Sequence, residues 1–362
     1  MHLLLIINTG STSTKLALYH QAKAVTAGHI DHSQAELATE RVIDQLPLRR
    51  RVVDEFLQKR DLAPSQLAAV VARGGLLRPM PGGCYAINEI MVDELRRAAY
   101  GEHACNLSAI LAQQIAETTG CPAYIVDPVV TDELQPLARL SGLPQLPRRS
   151  VFHALNHKAV GRRIAAEFGK PYAECHLVVA HLGGGISVGG HCGGQVIDVN
   201  NALDGEGPFS PQRSGGLPAA PLTELCFDSR YQRRDIARMI AGEGGLSAYL
   251  GTSDVREVMG RIERGDERAL EVMEAMAYQV AKEIGAMATV LKGRTQAIVL
   301  TGGLAHCAWL IEEIKERVEF IAPVRVLPGE DEMSALAEGA LRVLKGEEPA
   351  GNYPPQEMAR SK

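Results

Sequence analysis

A chain of 362 residues exceeds the usual size of one hydrophobic core, and 46% hydrophobic against 22% charged residues describes a folded protein of two domains. A net charge of −5, with no basic stripe interleaved with aromatics, argues against nucleic acid as a partner. No apolar run approaches the roughly 20 residues that cross a bilayer, so no membrane partner is expected, and seven cysteines never spaced Cys-x-x-Cys read as reduced thiols of a cytoplasmic protein.

Along the chain, residues 3–7 are apolar, lack a basic leader and run into the polar turn Asn8-Thr9-Gly10-Ser11-Thr12-Ser13. That is the pattern of a buried strand and not of an export signal. A second short strand over 14–19 completes a hairpin. The run Arg49-Arg50-Arg51 opens an amphipathic stretch reaching Lys59, and its charges read as a solvated helix face. Apolar runs at 69–72, 123–126, 177–180 and 297–300 predict further buried strands, each delivering polar or small residues to one rim. Helical patterns occupy 87–99, 107–118, 154–168 and 269–291, so strands alternate with helices and the class is α/β.

Residues 4–13 and 178–187 share one plan: apolar strand, Gly-containing polar turn, second short strand. A plan repeated half a chain apart predicts two related domains facing each other. A third glycine turn, Thr301-Gly302-Gly303-Leu304-Ala305, follows the strand at 297–300 and precedes a helix over 309–318. Glycine there lets backbone N–H groups approach an anion, and a helix N-terminus adds partial positive charge. Three such turns point to a nucleotide phosphate tail clasped between two lobes. None of them is a Gly-x-x-x-x-Gly-Lys-Ser/Thr loop, and the first strand lacks Gly-x-Gly-x-x-Gly, which excludes a P-loop and argues against a Rossmann site.

The first turn, continued through Thr14-Lys15, resembles the opening signature of the acetate and butyrate kinases, within the sugar kinase, heat-shock chaperone and actin ATPase superfamily. The resemblance extends to about Leu344. Arg73-Gly74-Gly75-Leu76-Leu77, Pro79-Met80-Pro81-Gly82-Gly83, Gly101-Glu102-His103-Ala104-Cys105-Asn106-Leu107 and Asp204-Gly205-Glu206-Gly207-Pro208 resemble the butyrate kinase branch. It implies a two-lobed actin-like ATPase (ribonuclease H-like) fold of duplicated domains with a nucleotide cleft between them. Residues 1–152 plus 333–362 would form the acyl and phosphate side, and 153–332 the nucleotide side. The last helix, after about Met333, would pack back on the first lobe. The implied cofactors are ATP and Mg2+, the substrate is butyrate or a related short-chain carboxylate, and a homo-oligomer, dimer or higher, is expected.

A carboxylate acceptor is already an anion at neutral pH, so this chemistry needs no general base. It needs cations around a phosphoryl group in transit between two anions. By resemblance, Arg213 in Arg213-Ser214-Gly215 is the catalytic arginine, and His153 holds the phosphoryl group in the transition state. His153 and His157 have the i, i+4 spacing of a zinc helix, but Ala154 stands where a zinc protease needs Glu. His103 matches the His-Asn loop with Asn106, and Asp127 an aspartate that positions Arg213 or a metal-bound water. Asn8 and Glu332 correspond to the magnesium site, Glu332 being one of three neighbouring carboxylates with Glu330 and Asp331. Lys15 is placed to meet a phosphate. His181 opens the second phosphate hairpin, Gly183, Gly184 and Gly185 form it, and Gly302 with Gly303 form the other loop. Asp254 and Arg256 match an adenosine-side segment, for which a helix N-cap by Ser253 or Asp254 is the alternative.

Three positions depart from the acetate kinase pattern. Val70 occupies the place of the second catalytic arginine, for which Arg73 is the substitute on hand. Ala72 stands where a bulkier Val would face the substrate methyl, which would leave room for a longer acid. Gly184 replaces an Asn. Two other readings stay open: a sugar kinase using Asp127 as general base on a hydroxyl, and a non-catalytic ATP-binding module.

Overall fold

The computed structural model describes residues 3–62 and 64–355; the expected first-lobe segments beyond these lie outside the described residues. The chain forms two compact units, one running to Thr131 and resuming at Asp331, the other spanning Asp132–Glu330.

The first unit is built on a six-stranded sheet of β1 (Leu3–Thr9), β2 (Ser13–His20), β3 (Lys23–Asp31), β4 (Leu67–Ala72), β5 (Cys84–Ala86) and β6 (Ala123–Val126), in the order β3-β2-β1-β4-β6-β5. All seven residues of β1 are buried, because it lies inside the sheet with helices on both faces. This is why it reads as a continuous apolar run and not as an alternation. Leu3, Leu5 and Ile7 join the core with Leu107, Ile110 and Leu111 of the helix Asn106–Thr119. The helix Glu332–Leu344 also packs on β1, β4 and β6, as the resemblance implied. Its Gly339 meets Val126 with no room for a Cβ.

The second unit carries β7 (His176–Leu182), β8 (Ile186–Cys192), β9 (Gln195–Val199), β10 (Ala297–Gly302) and β11 (Val324–Pro328), in the order β11-β10-β7-β8-β9. Val178, Ala180 and Leu182 of β7 pack with Met273, Met276 and Ile284 of the long helix Glu267–Val290. The alternate residues Leu177 and Val179 pack with Val160 and Ile164 of the helix Ala154–Glu167. Period-two alternation thus serves two helical layers at once.

The two sheets repeat one topology. In each, three sequential strands form an antiparallel meander whose first strand then pairs in parallel with a later strand, which pairs in parallel with another. The internal similarity of the two hairpins is therefore a duplicated domain.

The expected boundary at 152/153 is displaced. Residues 132–152 belong to the second unit because their polar and apolar groups are satisfied there. Leu134, Ala138 and Phe152 cluster with Val196 and Val199, Glu133 pairs with Lys158 at 2.7 Å, and Arg148 pairs with Asp198 at 2.9 Å and Glu206 at 3.1 Å. Glu332, placed by sequence at the end of the second lobe, falls in the first unit as the opening residue of its last helix. Among the described residues no helix is long and apolar enough to cross a membrane. All seven cysteines are free.

Candidate active site

The candidate residues divide between the units. In the first, Asn8 sits near the end of β1 and is 3% exposed. Its Nδ2 donates to Glu332 Oε2 at 2.7 Å, while Arg73 Nη2 pairs with Glu332 Oε1 at 3.0 Å. Asn8, Arg73 and Glu332 are thus one cluster, assembled from β1, the turn after β4 and the first residue of the last helix. Asp331 caps that helix by accepting from Ser334 N at 3.2 Å, and Glu330 lies in the other unit, so the three acids have separate work. Lys15, exposed, stands directly opposite Asn8 in the β1–β2 register.

His103 lies in the loop before the helix Asn106–Thr119, and its Nδ1 accepts from Cys105 N at 3.1 Å. Desolvation, then the cations Arg73 and Arg49, hold this imidazole below its ordinary pKa, although part of the ring reaches solvent. Asn106 ties two loops together, accepting from Leu76 N at 2.9 Å and donating to Gly101 O at 3.0 Å. Asp127 follows β6 at a left-handed φ of 38°, a conformation that a non-glycine residue adopts only where its surroundings hold it. Its Oδ1 accepts from Gly83 N at 2.7 Å, and its own N–H donates to Gly83 O at 2.9 Å. Ala72 and Val70 are both 0% exposed and lie in the unit's hydrophobic core. Chain-length selection is therefore not assigned to Ala72.

The reading of Arg49 as part of a solvated helix face is overturned. Arg49 is 0% exposed, in a helix that starts earlier than expected, at Leu46–Gln58. It donates to Ser13 O and Gly10 O, each at 2.9 Å, to Thr14 Oγ1 at 3.1 Å and to Gln45 Oε1 at 3.0 Å. Among the described residues no carboxylate pairs with it, and desolvation lowers its pKa. The first glycine turn is clamped from beneath by a buried cation.

In the second unit, His153 precedes the helix Ala154–Glu167 and stacks on His181, with ring centroids 3.8 Å apart and planes 10° from parallel. His181, on β7, engages Asn156 Oδ1 through Nδ1 at 2.8 Å and lies 3.0 Å from Glu330 Oε1 through Nε2, outside hydrogen-bond geometry. Among the described residues, His157 and His153 belong to no group of three or more metal-ligating side chains. Both approach one hydroxyl, Ser187 Oγ, at 2.9 Å each.

The hairpin Gly183-Gly184-Gly185 joins β7 to β8 and closes with Gly183 N donating to Gly185 O at 3.1 Å. Its carbonyl at Gly184 accepts from Ser210 Oγ at 2.6 Å and Gln212 N at 3.2 Å, which docks the 208–215 loop on the turn. A Cβ at Gly185 would occupy the space of the Arg213 guanidinium. Gly184 is explained in part, since a side chain there would crowd Gln212 Oε1 at 3.1 Å. Arg213 donates to the Ala202 carbonyl; burial lowers its pKa, with Asp204 opposing.

Gly302 has φ 90°, and a Cβ on it would strike the backbone of Leu182, so this glycine is required by packing at the end of β7. Gly303 opens the short 3-10 turn Gly303–His306 that follows. Asp254 and Arg256 realise the capping alternative. Asp254 accepts from Arg256 N at 2.9 Å at the start of the helix Val255–Glu263, and Arg256 grips the same carboxylate with two further bonds. Those hydrogen bonds hold the Asp254 carboxyl down at about 2. Gln212 Nε2 reaches Ser253 Oγ at 3.4 Å, which links this segment to the Arg213 loop.

The acetokinase family profile matches residues 144–323. The chain is 51% identical over 352 residues, 97% of its length, to 99% of a protein from Phocaeicola vulgatus named probable butyrate kinase. Among solved structures it is similar to the acetate kinase of Porphyromonas gingivalis, with a TM-score of 0.75 and 19% identity over 94% of this chain and 99% of that one. The propionate kinase of Francisella tularensis superposes with a TM-score of 0.74 and 18% identity over the same shares. The fold is the actin-like ATPase fold.

Proposed function

The chain belongs to the acetokinase family, a family of carboxylate kinases that use ATP, and we propose that its acceptor is butyrate or a related short or branched fatty acid. The reaction would be reversible, giving acyl phosphate and ADP, in the cytoplasm and in a homo-oligomer. One observation supports this reading above others: Arg213, Arg73 and His153 supply cations and donors, while Asp127 is occupied as a loop anchor on Gly83. A hydroxyl acceptor would need Asp127 as a base; a carboxylate acceptor needs none.

In this reading Arg213, held against the Gly185 turn, presents a planar fork to the equatorial oxygens of the γ-phosphoryl group. His153 donates to the same group, and the backbone N–H groups of residues 183–185 receive the nucleotide phosphates. Arg73 supplies the second cation that Val70 cannot. Asn8 and Glu332 fit a magnesium ion as hard-oxygen ligands, with Glu332 then shared between the ion and Arg73. Such an ion, when bound, neutralises charge on the β- and γ-phosphates.

Purified protein incubated with MgATP and acids of two to six carbons, with acyl phosphate trapped as hydroxamate, is the test. Product that peaks at four carbons and is absent with sugars is expected. ATP turnover indifferent to every carboxylic acid would overturn the assignment.

A further inference from the structure

His153 is the last member of a buried series. Tyr172 Oη lies 2.8 Å from His191 Nδ1, His191 Nε2 lies 3.2 Å from His157 Nδ1, and Ser187 Oγ lies 2.9 Å from both His157 Nε2 and His153 Nδ1. The inner members His191, His157 and Ser187 are all 0% exposed. The space is built for them: a Cβ at Gly161 would overlap the Tyr172 ring and crowd His191 Nδ1.

We propose that this series is a tautomer lock, in which Tyr172, His191, His157 and Ser187 each donate to the next, so that His153 accepts at Nδ1 and carries its proton on Nε2. It rests on the reading that places His153 at the phosphoryl group, and it makes the other four positioning residues. No proton crosses the series in turnover.

Two arguments fix the order. First, His157 and His191 are kept neutral. Desolvation, then the His191 and His181 rings, pushes His157 far below its ordinary value. Desolvation, then Lys158 and Arg162, brings His191 to about 3. A neutral imidazole has one donor and one acceptor. Three arrangements then satisfy every link: all donating toward His153, all donating away from it, or both His157 and His153 donating to the two lone pairs of Ser187 Oγ. The third leaves the buried Ser187 proton without an acceptor, because among the described residues that hydroxyl meets only the two rings.

Second, both ends select the same direction. The Arg162 guanidinium lies 5.5 Å from the Tyr172 ring centroid, which favours the negative end of the aligned dipoles there. A phosphoryl anion at the opposite end favours the positive one. The reverse order would put the Nε2 lone pair of His153 against that anion. Hydrogen bonding at one imidazole nitrogen sets the role of the other, so Ser187 selects a donor, and stacking on His181 fixes the plane of the ring.

The test is two-bond 1H–15N correlation NMR on the full chain labelled with 15N-histidine, at neutral pH. His191, His157 and His153 are expected as neutral Nε2–H tautomers. Nδ1–H tautomers at these rings would overturn the proposal. Tyr172→Phe keeps the ring and removes the first donor. It is expected to turn the His153 signal into a tautomer mixture and to lower kcat about tenfold with KM for ATP and acid unchanged, the scale seen when an outer hydrogen-bond partner is lost. Ser187→Ala, which cuts the series beside His153, should give the same mixture. An unchanged His153 tautomer in both variants would overturn the lock. Wild-type Nε2–H signals in a protein that forms no acyl phosphate would sustain the lock and refute only the kinase reading.

Discussion

Arg213 commits one prong of its fork to the Ala202 carbonyl and sits partly desolvated beside the glycine hairpin, an arrangement that strengthens its interaction with an anion. Arg213→Ala should lower kcat by about 100-fold or more, the usual worth of one charge-stabilising donor, in a steady-state acyl phosphate assay; near-normal turnover would remove Arg213 from the mechanism. Arg49→Met tests the clamp beneath the first turn. The Gly10 carbonyl loses its donor, while that of Ser13 keeps the Gly10 N–H at 2.8 Å, and a loss of about 1–3 kcal/mol for the group left unsatisfied is expected in denaturant unfolding. The buried histidines add a pH dependence. His157 and His191 have folded pKa values depressed below the unfolded one, His191 to about 3, so the unfolded chain binds more protons as pH falls below about 6.5. Stability is therefore full above about pH 6.5 and falls as pH drops below it, because each buried neutral ring must then give up a proton that the unfolded chain binds. Urea midpoints measured from pH 7.5 to 4.5 check it, and a flat profile would contradict it. At this scale the sequence was legible where residue type and local pattern coincide, as in the glycine turn 183–185 between two strands and the Asp254 helix cap. Arg49 was misread because a run of three arginines carries no signal of which one points inward. Ser187, His191 and Tyr172 were missed because their partners lie in other elements.

The glycine hairpin and the loop that docks on it work as one element. Gly185→Ala should displace the Arg213 side chain and leave the fold intact, because the obstacle to a Cβ is the end of a flexible side chain and not backbone. The expected result is a fall in kcat comparable to that of Arg213→Ala with an unchanged Tm; a variant with full activity would show that Arg213 does not need this turn. The central strands were readable because burial on both faces makes them continuous apolar runs. β3 was not, since its residues alternate between exposed and partly buried and present no apolar stretch. β5 has three residues and β11 exposes most of its length, so neither leaves a pattern in the sequence. The predicted helix over 87–99 shortens to Glu89–Arg96, where Asn88 caps it by accepting from Met91 N at 3.0 Å.

Over the whole molecule, duplication was visible in the two hairpins because each turn is a local pattern. The boundary was not, because what assigns residues 132–152 to the second unit is pairing with residues far along the chain, Asp198 and Glu206 among them. This division has a consequence for folding. The second unit is one continuous stretch whose sheet is covered by its own helices on both faces. The first unit is interrupted, and it regains the helix Glu332–Leu344 only after the chain has passed through the second. Without that helix, β1, β4 and β6 lose a covering layer that includes the fully buried Leu336, Ala337 and Ala340, at about 25 cal/mol for each Å² of apolar surface left in water. A fragment of residues 132–330 should therefore fold alone and unfold cooperatively by circular dichroism. Residues 1–131 alone should not, whereas adding 331–355 through a short flexible linker should restore a cooperative transition. Equal stability of 1–131 with and without that addition would show that the last helix is dispensable to the first sheet.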